Sequence, residues 1–256
     1  MSQPTLVLHP DWPAAPSVRA LCTTREGGVS QPPYDSLNLG LHVQDDVQAV
    51  LQNRARLQGM CEAQPVFLSQ VHGTQLVRID ADTPDGTEAD ACWTDQPGVA
   101  CTIMVADCLP ALFTDRAGRV VAAAHAGWRG LAAGILEVTA QQVAKAAGCP
   151  AEEVLVWLGP CIGPRAFEVG EDVLQAFEPQ AFTSPTSYFF KPTGQPHKWW
   201  ADLAGLARGR LQQVGVRQIS GNDSSDAWCT VTQSARFFSY RRDGQCGRMA
   251  TLVWIE

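Results

Sequence analysis

The sequence predicts a mixed α/β (α+β) fold, a single domain over residues 1–256 in which mixed β-sheets are flanked by helices. Three observations predict it. Six short apolar or β-branched runs are interleaved with four helical patterns. Their alternation is irregular, and two strand runs follow one another closely, which disfavours a doubly wound parallel sheet. No internal repeat, low-complexity tract or charge block marks a boundary in the 256 residues, so one domain is the simpler organisation.

Strands are expected at Val18–Thr23, Val66–Val71, Val99–Val105, Val120–His125, Val154–Leu158 and Thr251–Ile255. Val99–Val105 and Val120–His125 are the close pair. Helices are expected at Asp46–Gln58, Leu131–Ala147, Asp172–Phe177 and Ala201–Gln213. In the second, Leu131, Ile135, Val138, Gln142 and Ala146 recur at helical spacing, and Gly148 and Pro150 supply the stop. The Pro/Thr/Ser-rich stretch from Phe182 to His197 reads as a surface excursion.

Composition excludes whole classes of function. A net charge of −7 argues against a nucleic-acid binder, which needs a basic surface to displace counterions. A small anionic substrate stays open, because a local basic pocket can sit inside an acidic protein. Met1 to Pro10 lacks a basic region followed by an apolar run, and the richest apolar stretch, Val99 to Phe113, is interrupted by Asp107 and Pro110. The expectation is a cytoplasmic protein with no membrane partner. The nine cysteines form no CxxC pair, so most are expected as buried small hydrophobes in a reducing compartment.

Four segments combine strand ends with reactive residues. Thr23-Thr24-Arg25-Glu26-Gly27-Gly28 sets an arginine in a glycine turn, where backbone N–H groups and a guanidinium can hold an oxyanion. A hairpin turn with a solvated arginine accounts for the same residues. Ser69-Gln70-Val71-His72-Gly73 ends an apolar strand on a histidine, which an edge histidine bonded to its neighbours also explains. In Val105-Ala106-Asp107-Cys108-Leu109-Pro110, a proline is expected to stop the ladder. A carboxylate beside the thiol opposes thiolate formation, which suits a metal thiolate better than a free nucleophile; a buried structural cysteine is the plainer reading. Ala124-His125-Ala126-Gly127-Trp128-Arg129-Gly130 crowds a histidine, a tryptophan and an arginine at a strand-to-helix junction, where free N–H groups favour anions.

His72, Cys108 and His125 make an N₂S donor set that suits zinc with a fourth position open. They lie 36 and then 17 positions apart, so no local motif establishes the site. Two later segments add candidates: Gly159-Pro160-Cys161-Ile162-Gly163-Pro164 with Phe167-Glu168-Val169-Gly170, and Phe237-Phe238-Ser239-Tyr240-Arg241-Arg242-Asp243-Gly244. Glu168 can act as general acid or base, or simply begin a helix; the aromatics can stack a base, or belong to a hairpin core.

Taken together, these blocks resemble one family. It is the laccase-domain or multicopper polyphenol oxidase family, also described as YfiH-like proteins, peptidoglycan editing factor and purine nucleoside phosphorylase. TTREGGVS and SLNLG within 23–40, SQVHG at 69–73, EADA at 88–91, VADCLP at 105–110, HAGWRG at 125–130, LGPCIGP with FEVG within 158–170, and FFSYRRDG with GR within 237–248 carry it. The resemblance implies a single domain of mixed sheets flanked by helices, similar to the toxin-like CNF deamidases. It implies zinc bound at His72, Cys108 and His125, with copper disfavoured because a laccase needs many histidines and only five are present. It implies phosphorolysis of adenosine, inosine, guanosine and methylthioadenosine, and hydrolytic deamination of adenosine, by a monomer or homodimer. The chain departs from the family pattern in placing Cys246 before Gly247-Arg248 where a threonine is common. Arg165-Ala166-Phe167 also replaces a cysteine/tyrosine-containing run.

On that basis Cys108, His125, Asp107 and Glu168 are the expected catalytic residues. Arg25, Asn38, Gln70, Arg129 and Arg241 are expected to bind substrate, with one of the three arginines orienting phosphate beside zinc. Asp107 or Glu168 is expected to move protons in deamination. The competing expectations are a copper phenol oxidase, a cysteine hydrolase or amidase acting on cell-wall precursors with Cys108 as nucleophile and His125 as base, and a non-catalytic binding protein.

Overall fold

The computed structural model describes residues 7–177 and 189–256. Among these, the strands form two six-stranded sheets and one three-stranded sheet. The first sheet runs β1 (Val7–Leu8), β2 (Val18–Thr23), β15 (Met249–Ile255), β7 (Val99–Val105), β3 (Gln64–Ser69), β5 (Thr87–Glu88). The second runs β14 (Gln218–Gly221), β10 (Val154–Leu158), β8 (Leu109–Asp115), β9 (Val121–Ala126), β6 (Ala91–Thr94), β4 (Leu76–Arg78). The small sheet runs β11 (Glu168–Val169), β13 (Trp199–Ala201), β12 (Phe190–Pro192). Both large sheets are mixed: β3 lies parallel to β7 while β15 is antiparallel to β7, and β10 is antiparallel to β8 but parallel to β14.

The period-two alternation of each strand builds the layers. In β15, Met249, Val253 and Ile255 enter a core between the two large sheets, which also holds Ile103, Leu112, Val121 and Trp157. The alternate residues Ala250, Leu252 and Trp254 face a second core with Leu37, Leu39 and Leu57, the last on α1 (Val47–Gln58). In β9, Val121 and Ala123 enter the inter-sheet core, while Ala122, Ala124 and Ala126 face the helices α2 (Trp128–Ala133), α3 (Ile135–Ala147), α4 (Glu171–Phe177) and α5 (Leu203–Gln213). Covered on both faces, these strands read as largely apolar runs, broken only by Thr251 in β15 and His125 in β9. Each fully buried leucine or isoleucine contributes about 1.5–3 kcal/mol. No helix among the described residues is long and apolar enough to cross a membrane.

β2, β7 and β10 begin and end where the sequence places them, and α1 starts one residue after its expected first residue because Asp46 caps it, accepting from the Ala49 amide. Two expectations need correction. The run Leu131–Ala147 is two helices: Gly134 adopts φ 100° between α2 and α3, and the first helix begins at Trp128. The close runs Val99–Val105 and Val121–Ala126 lie in different sheets, and the unexpected strand β8 between them pairs with β9. Pro110 does not end the ladder. It is the second residue of β8, and its carbonyl accepts from the Gly159 amide just past the end of β10, so its missing N–H faces a side where the neighbouring strand has already stopped. The expected excursion at Phe182–His197 lies outside the described residues as far as 188; beyond that, buried Phe190 opens β12.

The chain switches sheets at three places that matter for the site. It leaves β3 for β4 through residues 70–75, β5 for β6 through 89–90, and β7 for β8 through 106–108. Because β3 lies parallel to both β5 and β7, all three crossings leave the first sheet at the same end of its strands.

The break between α2 and α3 depends on glycine for its backbone alone, since a Cβ at Gly134 would come no closer than 3.7 Å to its nearest neighbour, Arg210 Nη2. Gly134→Ala is expected to cost about 1–2 kcal/mol through left-handed strain. Thermal denaturation should show Tm lowered by roughly 2–8 °C.

Candidate metal centre and its cavity

His72, Cys108 and Asp90 each lie on one of those sheet crossings, and His125 is the penultimate residue of β9. Asp90 is fully buried and assembles the others. Its Oδ1 accepts from the His125 Nδ1 at 2.8 Å and from the His72 amide at 2.9 Å; its Oδ2 accepts from the amides of Gly73 at 2.6 Å and Val71 at 3.2 Å. The Asp90 carbonyl also accepts from the His125 amide at 2.7 Å. These bonds hold His72 at φ 64°, a conformation rare outside glycine. With Nδ1 committed to Asp90, the His125 ring offers Nε2 as its ligand atom.

The Cys108 Sγ lies 3.8 Å from His72 Nε2, and the two imidazole rings stand edge to face with centroids 4.7 Å apart. One ligand atom from each of His72, Cys108 and His125 falls within 4.8 Å of the other two. Tetrahedral ligands at about 2.0–2.3 Å from zinc stand roughly 3.5 Å apart, so the donors fit a metal after small side-chain adjustments. Gly127 leaves the room this requires: a Cβ there would lie 2.8 Å from His72 Cδ2 and 3.2 Å from Cys108 Sγ. The residues present therefore match an open three-ligand site.

The same side chains set one another's protonation. Burial favours the neutral Cys108 thiol, but the His125 and His72 rings outweigh it and bring the thiol down to about 6. Burial likewise disfavours charge on His125, yet the Cys108 sulfur and the Asp90 carboxylate hold its ring up at about 9. Burial would raise the Asp90 carboxyl, but its His125, Gly73 and His72 donors keep it below the usual carboxylate range. The expectation that Asp107 raises the neighbouring thiol is corrected by geometry. Asp107 has φ 87°, and its carboxylate accepts from Thr230 Oγ1 at 2.5 Å and the Arg241 amide at 2.7 Å.

A cavity of about 710 Å³ opens over the three donors. Asp107, Gln70, Arg129 and Arg241 line it, as do the aromatic side chains of Trp128, Phe167 and Tyr240. Gln70 brackets the backbone of Met104, donating to its carbonyl and accepting from its amide at 2.8 Å each, so its carboxamide is already engaged. Arg241 Nη1 donates to the Glu168 carbonyl at 2.9 Å, and its guanidinium lies 5.5 Å over the Phe167 ring. Arg129 is exposed, with its guanidinium 4.2 Å over the Trp128 ring.

Three expected site residues lie elsewhere. Arg25 is tied to the Asp35 and Ser234 carbonyls and the Asp35 carboxylate, and holds a loop rather than facing the cavity. Asn38 is fully buried and fixes backbone at Gly40 and Arg248. The Glu168 carboxylate lies 3.8 Å from Lys198, and only the backbone carbonyl of Glu168 meets Arg241. Conversely, Asp90, His42, Trp128, Phe167, Tyr240 and Arg248 were not among the expected site residues. Asp90 carried a signal as the only charged residue in the apolar run Ala89–Trp93, and Arg248 stood in a recognised block; His42 carried none.

The family model described as multi-copper polyphenol oxidoreductase laccase matches residues 19–256. A Pseudomonas aeruginosa protein named purine nucleoside phosphorylase is 54% identical over 249 residues, covering 97% of this chain and 98% of that protein. The Escherichia coli protein named purine nucleoside phosphorylase YfiH is 50% identical over 251 residues, with 97% and 98% covered. A Neisseria meningitidis crystal structure assigned to the family DUF152 superposes with a TM-score of 0.90 at 45% identity, covering 98% of this chain and all of that one. YlmD from Geobacillus stearothermophilus superposes with a TM-score of 0.86 at 32% identity, covering 95% and 93%. Similarity of this extent, over the blocks that carry the donors, means that the chain belongs to the YfiH-like family of multi-copper polyphenol oxidoreductase laccase proteins.

Proposed function

We propose that this protein is a zinc-dependent purine nucleoside phosphorylase, acting on adenosine, inosine, guanosine and methylthioadenosine, with an accompanying adenosine deaminase activity. The observation that carries this reading is the meeting of an N₂S donor set, aromatic walls and arginines in one cavity. The names of the full-length relatives agree with it. His72, Cys108 and His125 would hold the zinc, which supplies Lewis-acid charge with one coordination position open to substrate.

The chain's own residues supply the rest. Trp128, Phe167 and Tyr240 offer apolar faces of the size and shape of a purine and keep water from the reacting centre. Arginines line the cavity and can orient phosphate by charge-assisted bonds; of the expected set Arg129 and Arg241 line it with Arg248, and Arg25 does not. Of the two expected proton-moving carboxylates, Asp107 lines the cavity and Glu168 does not, so Asp107 is assigned that role in deamination. One group of His, Cys or acidic side chains among the described residues is placed to hold a metal, which favours a mononuclear zinc site over a multicopper oxidase. Nine free cysteines suit a reducing cytoplasm, where the protein would act as monomer or homodimer.

A cysteine amidase is the second reading, favoured by one observation. Cys108 at about 6, His125 at about 9 and Asp90 behind the ring form an ion pair of the kind that activates a thiol nucleophile.

Purified protein given adenosine or inosine should release free base only when phosphate is added, together with ribose 1-phosphate; inosine alone from adenosine would leave deamination standing and remove phosphorolysis. Cys108→Ala is expected to lose zinc and both activities together. Phosphorolysis retained by a zinc-free variant would contradict the metal mechanism, and selective iodoacetamide loss of activity in zinc-free protein would establish the amidase reading. Asp90→Asn should weaken zinc affinity by about 10–100-fold, measured by chelator competition, because the outer carboxylate fixes both His72 and His125.

A further inference from the structure

A second cavity of about 370 Å³ adjoins the first, and His42, Tyr240 and Arg248 line both. Beyond this partition the smaller cavity is lined by loop residues that include Gln44, Gly244 and Gln245, and by no acidic residue. The acidic residues next in sequence are engaged elsewhere. Asp45 accepts from Ser30 Oγ, Asn38 Nδ2 and the Asp46 amide, and Asp243 pairs with Arg242.

The partition is built to bring the Arg248 guanidinium and the His42 imidazole together. A Cβ on Gly40 would lie 2.9 Å from Arg248 Cγ and 3.3 Å from His42 Cε1, so the glycine permits both to close on the same backbone. Asn38 fixes this arrangement from below, its Oδ1 accepting from the amides of Gly40 at 3.0 Å and Arg248 at 2.9 Å. Arg248 Nη1 is committed to the carbonyls of Cys246 and Gly247 at 3.0 and 3.1 Å, which anchors the fork and leaves Nε and Nη2 to face a ligand. Burial, together with the charges of Arg248, Arg54 and His125, holds the His42 imidazole below its usual range, as a positive field without a counter-charge would.

We propose that His42 and Arg248 form an oxyanion subsite on this partition. It holds inorganic phosphate, which enters through the smaller cavity while the nucleoside occupies the aromatic one. The assignment rests on the phosphorylase reading and specifies where its second substrate binds. In the step it serves, a phosphate oxygen forms a bond to the ribose C1′ as the bond from C1′ to the purine nitrogen breaks. The electron pair leaves on the purine, and the proton of the hydrogen phosphate ends on the free base, giving ribose 1-phosphate. Two adjoining chambers let phosphate approach C1′ without crossing the nucleoside's path.

The test measures binding of inorganic phosphate by calorimetry, and KM for phosphate and for inosine, on the zinc-loaded wild-type protein, Arg248→Gln, Arg248→Lys and His42→Gln. The expected result is phosphate Kd and KM raised about 10–100-fold in Arg248→Gln, as for loss of a charge-assisted bond, with inosine KM moving less than about threefold. Arg248→Lys should recover part of the loss, and His42→Gln should weaken phosphate in the same direction without loss of thermal stability. Phosphate Kd and KM unchanged in both Arg248→Gln and His42→Gln would overturn the subsite, as would inosine KM rising in step with phosphate KM. Phosphate binding that depends on Arg248 and His42, in a protein that consumes no nucleoside, would keep the subsite and remove the phosphorylase reading. Wild-type protein that turns over nucleoside with no detectable phosphate dependence would overturn both.

Discussion

The site depends on a single buried carboxylate. Asp90 carries four hydrogen bonds from Val71, His72, Gly73 and the His125 ring, and its own carbonyl holds the His125 backbone. A buried carboxylate without such donors costs several kcal/mol, so the two segments that supply them are held against it. The consequence reaches the donors directly. His72 is kept in a left-handed conformation, and His125 is kept in the orientation that leaves Nε2 available.

Asp90 can do this because of topology. Two large sheets pack face to face, and the chain passes between them at residues 70–75, 89–90 and 106–108, all at one end of the strands. Crossing segments carry short loops of irregular backbone, where side chains need not alternate between two apolar cores. They are therefore the places where a histidine, an aspartate and a cysteine can converge without disrupting the packing of β3, β7 or β9. The aromatic and cationic walls come from elements distant in sequence: Trp128 and Arg129 from the start of α2, Phe167 from the approach to β11, and Tyr240, Arg241 and Arg248 from the segment leading into β15.

Legibility followed the local or non-local character of each feature. The long buried strands were readable because both faces are covered and nothing charged interrupts them, as in β7 and β10. The strand β8 was not, because Pro110 is a valid stop signal unless the neighbouring strand has already ended, and only the register with β10 reveals that. The helix break at Gly134 was hidden inside an intact apolar periodicity. At the site, His72, Cys108 and His125 stand out as reactive residues at strand ends, and the resemblance singled them out together. Arg25, Asn38 and Glu168 stand in equally distinctive segments, yet their polar atoms are consumed in holding the backbone or pairing on the surface.

The sequence by itself determined the mixed-sheet character of the fold and the family, and it singled out His72, Cys108 and His125 as candidate metal donors. Those properties reside in periodicity and in short blocks whose residue types survive without knowledge of their partners. Tertiary structure decided which charged residues share the cavity, that Asp90 organises it, and that His42 and Arg248 close on Gly40. Each of those is a contact between segments tens to hundreds of positions apart. Which polar group meets which is set by how the sheets and crossings pack, and no local pattern of residues records that pairing.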